Sequence, residues 1–447
     1  MTAMPYALQQ SKSYNDRLKK VVPGGVHYSF RIPWESKQIH FARARGARAW
    51  DLDGNEYLDL FGKFGANILG HGHPGYVAAL TDALGAVTAT TLGSSEAQAA
   101  ERICALVPCA EMVRFGLSGT DAVENAIRLA RAHTGKQRFV RFARHYHGNA
   151  DNLLGGGVGE PSFPVPIETA GDLYDTEGKA RDIAQQQSFL MPWNDLPALD
   201  AVIRAHGHEI AALIMEPFCV NGGGTTPVPG YLEGARRLCD AHGIVLVFDE
   251  VITGFRTSLA GAQGVLRVTP DLCTLGKALG GGALPVSAVA GQREIMRLYA
   301  DRRVVHGGTF NGYPLGMAAV LATLEILSAE AGAPLERMHR TMRVLERRFL
   351  AAAERHGLDF RTSDIDGLTI VHPRIADDGG DDPGARRRAD LVTKLTGEAL
   401  AENGILVSNM NRMYGSIALE DRDVAFFEER VDAALGAVAA FVSRLRR

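Results

Sequence analysis

The chain has 447 residues, which is enough for a sizeable hydrophobic core and for more than one domain. Hydrophobic residues make up 46% of it and charged residues 22%, and 48 Lys and Arg stand against 51 Asp and Glu. The content of hydrophobic residues and the low net charge exclude intrinsic disorder for most of the chain. The low net charge also argues against nucleic acid or an anionic membrane surface as the main partner.

Residues 1–75 predict an N-terminal arm and part of a small lobe. Residues 1–20 are polar and helix-forming, without the apolar stretch of a signal peptide, and Pro23 with the two glycines after it ends that helix. The segment 40–60 alternates in part between apolar and polar residues and carries Asp53-Gly54, a strong hairpin signal. The small lobe should therefore contain β-structure.

From about residue 76, short apolar runs alternate with helical stretches. Such alternation predicts βα units and a mostly parallel sheet covered by helices, which is an α/β fold. We assign residues 76–325 to one large domain and expect the Gly-, Pro- and Thr-rich interval 154–187 to be a long functional loop. The predicted strands are 112–117, 138–142, 211–215, 244–248, 272–275 and 286–290.

Residues 326–447 predict a C-terminal small domain. This part is helical, charged and rich in Ala, Arg and Glu, with an exposed turn expected at 376–383. The five cysteines of the chain lie far apart without a CxxC pair, so they indicate neither a zinc site nor a disulfide framework. Because no run of about 18 apolar residues is present to span a membrane, we expect a protein of the reducing cytoplasm.

Two candidate binding elements follow the first two predicted strands of the large domain. Ser118, Gly119 and Thr120 open a helix, whose first N–H groups and dipole would bind a phosphate; the alternative is that Thr120 is an ordinary helix cap. Tyr146, after the second strand, would stack on a planar cofactor or pack half in the core. The histidines on either side of Tyr146 have no third ligand at a convincing metal-binding spacing.

Two candidate catalytic residues end later strands. Asp249 follows a buried run and needs a cationic or hydrogen-bonding partner, such as a protonated ring nitrogen. A magnesium-binding role for Asp249 would need a GxxxxGK[ST] loop, which the sequence lacks. Lys277 either has a lowered pKa and forms a Schiff base, or lies at the surface of a Gly-rich loop.

The four elements together predict pyridoxal 5'-phosphate (PLP) as the cofactor. PLP requires a lysine for its aldehyde, an acid opposite its pyridinium nitrogen and an anchor for its phosphate. Asp249 would keep the ring nitrogen protonated, and Lys277 would move the proton at the substrate carbon.

The sequence resembles the class III (ω-type) aminotransferases of the fold-type I PLP superfamily, within them the glutamate-1-semialdehyde aminomutase-like branch. The resemblance covers about residues 21–325 well and the C-terminal lobe more loosely. It implies a mostly parallel sheet sandwiched by helices, a small α+β lobe built from both chain ends, and an obligate homodimer. The matching segments are PGGV (23–26), WDLDGNEYLDL (50–60), ILGHGHP (68–74), LSGTDAVENAIRLAR (117–131), YHG (146–148), EP (216–217) with Asn221 beyond it, DEVITGFR (249–256), PDLCTLGKALGGG (270–282) and GGTFNGYP (307–314).

The resemblance also implies roles for single residues. Val251 and Tyr146 would pack on the two faces of the ring, and Asn221 would hydrogen-bond near the ring hydroxyl. Glu216 would support the residues that touch the cofactor. Thr309 would reach the phosphate held by the neighbouring subunit. Lys277 and Asp249 would be the Schiff-base lysine and the pyridinium partner, and Ser118, Gly119 and Thr120 would hold the phosphate.

Departures from the aminomutase pattern concern the substrate. Arg31 stands at a position that binds the substrate carboxylate, Tyr28 replaces a serine, and Phe64 lies in the GSWG-like stretch. Asn411 replaces a functional Glu, and Tyr313 replaces an Asn. The added aromatic residues would suit a bulkier or β-amino acid or a biosynthetic keto intermediate. These changes favour an aminotransferase that acts by a ping-pong mechanism on an amino donor and a keto or aldehyde acceptor.

Three alternatives stay open at this stage. The first is an isomerase on the same scaffold, either an aminomutase or an amino-acid epimerase. A decarboxylase is the second. The third is a non-catalytic binding protein that keeps the fold, although the presence of both Lys277 and Asp249 argues against it.

Overall fold

A computed structural model describes residues 6–28, 39–86, 93–154, 187–374, 383–408 and 411–445. Residues 376–382 of the predicted turn at 376–383 and most of the predicted loop at 154–187 lie outside these residues. The strands are β1 Phe41–Arg45, β2 Arg48–Asp51, β3 Glu56–Asp59, β4 Met112–Gly116, β5 Arg138–Phe142, β6 Ser188–Met191, β7 Ile210–Met215, β8 Val245–Asp249, β9 Leu272–Leu275, β10 Ser287–Gly291, β11 Phe360–Thr362, β12 Leu368–Pro373, β13 Ile405–Leu406 and β14 Arg412–Tyr414.

Helices cover the sheets and connect most of the strands. Short 3-10 turns lie at Pro23–Gly25, Lys277–Gly280, Arg297–Tyr299 and Ala329–Gly332. The α-helices are α1 Gln9–Leu18, α2 Pro74–Ala86, α3 Glu96–Leu106, α4 Gly119–Thr134, α5 Leu196–His206, α6 Tyr231–His242, α7 Gly261–Leu266, α8 Arg293–Met296, α9 Pro314–Ser328, α10 Ala333–Arg355, α11 Pro383–Glu402 and α12 Asp421–Leu445.

The largest sheet has seven strands in the order β4-β10-β9-β8-β7-β5-β6. Neighbours from β9 to β6 pair in parallel, whereas β10 is antiparallel to both β4 and β9. Every residue of β7 and β8 is buried, as expected for strands covered on both faces. The predicted mostly parallel sheet is confirmed. The sequence prediction missed β6.

The ends of the chain meet in the small sheets. Asp53 and Gly54 lie in the turn between β2 and β3, which pair antiparallel as the hairpin signal predicted. Strand β13 from the C-terminal part pairs in parallel with β3, so one four-stranded sheet contains segments from both ends. The strands β11, β12 and β14 form a third sheet. The domain bounds that we assign from the sequence stay predictions.

Among the described residues, one helical stretch, Pro314–Arg355, is long and apolar enough to cross a membrane by composition alone. It consists of α9 and α10, which the 3-10 turn Ala329–Gly332 separates, and half of its most apolar window is buried inside the fold. In α9, Met317, Val320 and Leu324 are fully buried, so the apolar composition is explained by packing in the core.

The turn Gly62–Gly65 is helical but left-handed. Lys63 has φ 54° and ψ 52°, and Phe64 has φ 57° and ψ 36°. Left-handed backbone costs a residue with a side chain about 1–2 kcal/mol, so two such residues in a row need support from their surroundings. Gly65, with φ 83°, could not be replaced without a clash, since a Cβ atom there would lie 2.7 Å from Cδ1 of Tyr414.

Candidate active site

A cavity of about 570 Å³ opens where β4, β5, β7 and β8 end and where the chain leaves β9. This is the edge of the sheet at which the carboxyl ends of the parallel strands meet, and ligands of α/β proteins bind there. The sequence-predicted site residues that line the cavity are Tyr28, Phe64, Gly119, Thr120, Tyr146, Asn221, Asp249, Val251 and Lys277.

Two of the predicted site residues that the structure describes, Ser118 and Thr309, do not line the cavity of this chain. Ser118 is the N-cap of α4, and its Oγ accepts a hydrogen bond from the Asp121 N–H at 3.1 Å. Thr309 is exposed on the surface. Arg31 lies outside the described residues.

Asp249, at the end of β8, is buried in a network of hydrogen bonds. Its Oδ2 lies 2.7 Å from Nδ1 of His147, and its Oδ1 accepts from the Thr274 hydroxyl and the Val251 N–H, both at 3.1 Å. An ionised carboxylate only accepts, so the geometry assigns the hydrogen to His147 Nδ1. The carboxylate is therefore fixed in one orientation at the cavity wall.

Lys277 follows β9 and is half-buried, with its side chain on the cavity wall. Burial lowers the pKa of its amine to about 8, against the opposing effect of Asp249 and Glu216. At neutral to slightly alkaline pH a substantial fraction of the amine is therefore unprotonated, which is the form that attacks a carbonyl carbon.

The N-terminus of α4 lies at the cavity together with Val251. Gly119 and Thr120 line the cavity at the first turn, where N–H groups lack helical partners and the helix dipole favours an anion. A Cβ atom on Gly119 would lie 3.2 Å from Cγ1 of Val251, and one on Gly276, next to Lys277, would lie 3.4 Å from the same atom. Val251 thus lies between the first turn of α4 and the segment that carries Lys277.

Glu216, at the end of β7, connects Tyr146 with Asn221. Its Oε1 accepts from the Tyr146 N–H at 2.7 Å and from Nδ2 of Asn221 at 2.8 Å, and its Oε2 accepts from the Asn221 N–H at 3.1 Å. Burial raises the pKa of the Glu216 carboxyl, and these donors oppose the rise. The predicted supporting role of Glu216 agrees with these contacts.

Arg412 and Lys63, which the sequence did not single out as site residues, also line the cavity. Arg412 lies on β14 and is buried, and its Nη1 and Nη2 donate to Oδ1 and the carbonyl oxygen of Asn221 at 3.3 and 3.2 Å. The neighbouring Asn411 points elsewhere, since its Nδ2 donates to the Thr393 carbonyl oxygen. No motif surrounds Arg412, so only the fold could reveal it.

The model of the family "Aminotransferase class-III" matches residues 32–369. The chain belongs to the class III aminotransferase family. It is 42% identical over 337 residues to a glutamate-1-semialdehyde 2,1-aminomutase from Nitratidesulfovibrio vulgaris, which covers 73% of this chain and 76% of the relative. The predicted family is thereby confirmed.

Two solved structures support the same family and fold. An omega-transaminase from Sphaerobacter thermophilus superposes with a TM-score of 0.85 at 30% identity, covering 96% of this chain and 97% of that one. A beta-phenylalanine aminotransferase from Variovorax paradoxus has a TM-score of 0.79 at 27% identity, covering 98% and 95%. This class III aminotransferase therefore has the predicted fold of the fold-type I PLP enzymes.

The cavity fits the PLP cofactor of the family. The helix N-terminus at Gly119 and Thr120, of a kind that suits a phosphate, and Lys277 line the same cavity. The buried carboxylate of Asp249 faces the same space. Among the described residues no group of three metal-ligating side chains occurs that would favour a metal site instead.

Proposed function

We propose that this class III aminotransferase moves an amino group from an amino-acid or amine donor to a keto or aldehyde acceptor by a ping-pong mechanism. The observation that carries the proposal is that Lys277, with its lowered pKa, and the fixed carboxylate of Asp249 line the same cavity. The likeness to two transaminase structures over nearly the whole chain supports it.

Each residue of the cavity then has a task. PLP, when bound, would supply an electron sink for the carbon beside the amino group of the substrate. Lys277 would take the proton from that carbon with its neutral amine and return it to a second carbon. Asp249, held by His147 and Thr274, would keep a proton on the ring nitrogen.

The remaining residues hold the cofactor and orient the substrate. Gly119 and Thr120 would bind the phosphate, and Val251 and Tyr146 would pack on the ring. Asn221 would hydrogen-bond near the ring hydroxyl. Arg412 is a cationic residue that lines the cavity, and its planar guanidinium suits the carboxylate of an amino-acid substrate. Arg31, from the sequence analysis, stays a second candidate for that carboxylate.

We propose a homodimer in which Thr309 reaches the phosphate in the partner's site. Thr309 is exposed in one chain, as are the apolar neighbours Val305 and Phe310, with 75% and 60% of their surface accessible. Mixing Lys277→Ala subunits with Thr309→Ala subunits tests this. A mixed dimer then has one intact site, and activity above that of either variant supports the proposal, whereas simple averaging contradicts it.

An aminomutase is the second candidate because a relative 42% identical has that name. The two functions differ in a single-substrate experiment. A transaminase incubated with one amino compound and no acceptor releases keto product equal to the bound cofactor and then stops. An aminomutase converts the compound into its isomer over many turnovers. A donor and acceptor panel, followed at the cofactor absorbance, then identifies the substrate class.

A further inference from the structure

The left-handed turn Gly62–Gly65 is held by two side chains from outside it. Oδ1 of Asp59 accepts hydrogen bonds from the N–H groups of Phe61 and Gly62 at 3.1 and 2.9 Å. At the other end, Nη2 of Arg256 donates to the Gly65 carbonyl oxygen at 2.6 Å. Strained backbone of this kind is concentrated at active sites and ligand-binding segments. The side chains of this turn are therefore candidates for a function.

The turn presents Lys63 and Phe64 to the cavity. Phe64 packs edge-on against Phe61 and Tyr28, with ring centroids 4.6 and 5.3 Å apart, so aromatic contacts fix its place. Lys63 is exposed, and no carboxylate among the described residues lies within ion-pair distance of it. Its ammonium group is therefore a cation at the cavity without a protein counter-ion in that part of the chain.

The acids of the cavity are already engaged elsewhere. Asp249 bonds to His147 and Thr274, and Glu216 bonds to Asn221 and to the Tyr146 N–H. Lys63 and Arg412 are thus two cationic residues, on separate segments, that line one cavity of about 570 Å³. That volume lies well within the range of about 300–1,000 Å³ that small-molecule sites have.

We propose that Lys63 is a specificity-determining residue that binds a second anionic group, a carboxylate, on the part of the substrate remote from the carboxylate at Arg412. The preferred substrate or its keto acceptor is therefore a dicarboxylic compound. The inference rests on the proposed function, since it assigns Arg412 to the first carboxylate. Phe64 and Tyr28 contact the apolar chain between the two carboxylates.

Unreactive dicarboxylates of increasing length, from succinate to suberate, test this on the PLP-loaded enzyme. Their dissociation constants are measured by calorimetry and compared with those of monocarboxylates of equal chain length. We expect one dicarboxylate length to bind about 3- to 10-fold tighter than its monocarboxylate, because an ion pair at an open site adds a modest affinity. Lys63→Met should abolish this preference and leave monocarboxylate binding unchanged, and Lys63→Arg should keep it.

Lys12→Met on α1 is the matched control, since it removes an exposed lysine away from the cavity. A wild-type enzyme without any preference for dicarboxylates, or a Lys63→Met variant that keeps it, overturns the inference. Because binding is measured without turnover, the result does not depend on transamination. If the enzyme isomerises amino acids but still shows the Lys63-dependent preference, the proposed transaminase function is wrong and the role of Lys63 stands.

Discussion

Arg256 is a buried cation that joins separate segments around the cavity. Its guanidinium is fully buried and donates to three carbonyl oxygens, those of Gly65 at 2.6 Å, Gly415 at 2.8 Å and Gly367 at 3.0 Å. Burial lowers its pKa to about 10. Two of these carbonyl groups follow cavity residues, Phe64 and Tyr414, so the contacts fix the cavity wall as well as the fold.

Arg256→Met would leave the carbonyl oxygens of Gly65 and Gly415 without their donors, whereas the Gly367 oxygen keeps the N–H of Gly415. An unsatisfied buried polar group costs about 1–3 kcal/mol, which gives about 2–6 kcal/mol for two groups. Removal of an isolated buried charge offsets part of this, since the guanidinium has no carboxylate among its contacts in the described chain. We expect a net loss of about 2–4 kcal/mol in the free energy of unfolding.

Urea unfolding of Arg256→Met, followed by tryptophan fluorescence on the PLP-loaded protein, measures this loss. Arg237→Met is the matched control, since Arg237 is exposed on α6. We also expect a higher KM for the amino donor with a smaller change in kcat, because the displaced segments line the cavity. A midpoint of unfolding equal to that of the control would refute the reasoning.

Three further predictions concern the cavity. Asp249→Asn should lower kcat by about 100-fold or more while the fold is kept, because the ring nitrogen loses its acidic partner; a near-normal rate contradicts the assignment. Arg412→Met should raise KM for carboxylate-bearing donors by about 10- to 150-fold and leave that for amines without a carboxylate unchanged. In the apoprotein, Lys277 has a pKa of about 8, whereas the unfolded chain has about 10.4, so the unfolded state binds more protons between these values. Stability relative to Lys277→Met should therefore rise from pH 8 towards pH 10, and a flat difference across that range is the contrary result.

The catalytic candidates Asp249 and Lys277 were predictable from the sequence because each follows a short apolar run that is typical of a buried strand. Parallel strands place their carboxyl ends at one edge of the sheet, and both residues line the cavity there. The helix start at Gly119 follows in the same way. The family and its PLP cofactor, predicted from these elements and their motifs, are confirmed.

Other parts of the site depend on contacts that local pattern does not encode. Arg412 lies on a three-residue strand that reaches the cavity only because β14 pairs with β12. The left-handed conformation of Lys63 is imposed by Asp59 and Arg256, and neither Lys nor Phe favours it. The choice of Ser118 as the helix cap, rather than Thr120, is likewise settled by geometry.

The account depends on Lys277 as the residue that binds the PLP aldehyde. Borohydride reduction of the loaded enzyme makes that bond permanent, and peptide mapping by mass spectrometry then locates the added cofactor mass. We predict a single modified peptide that contains Lys277 and no modification in Lys277→Ala. Cofactor mass on another lysine, or none on any peptide of a fully loaded enzyme, would contradict the central claim.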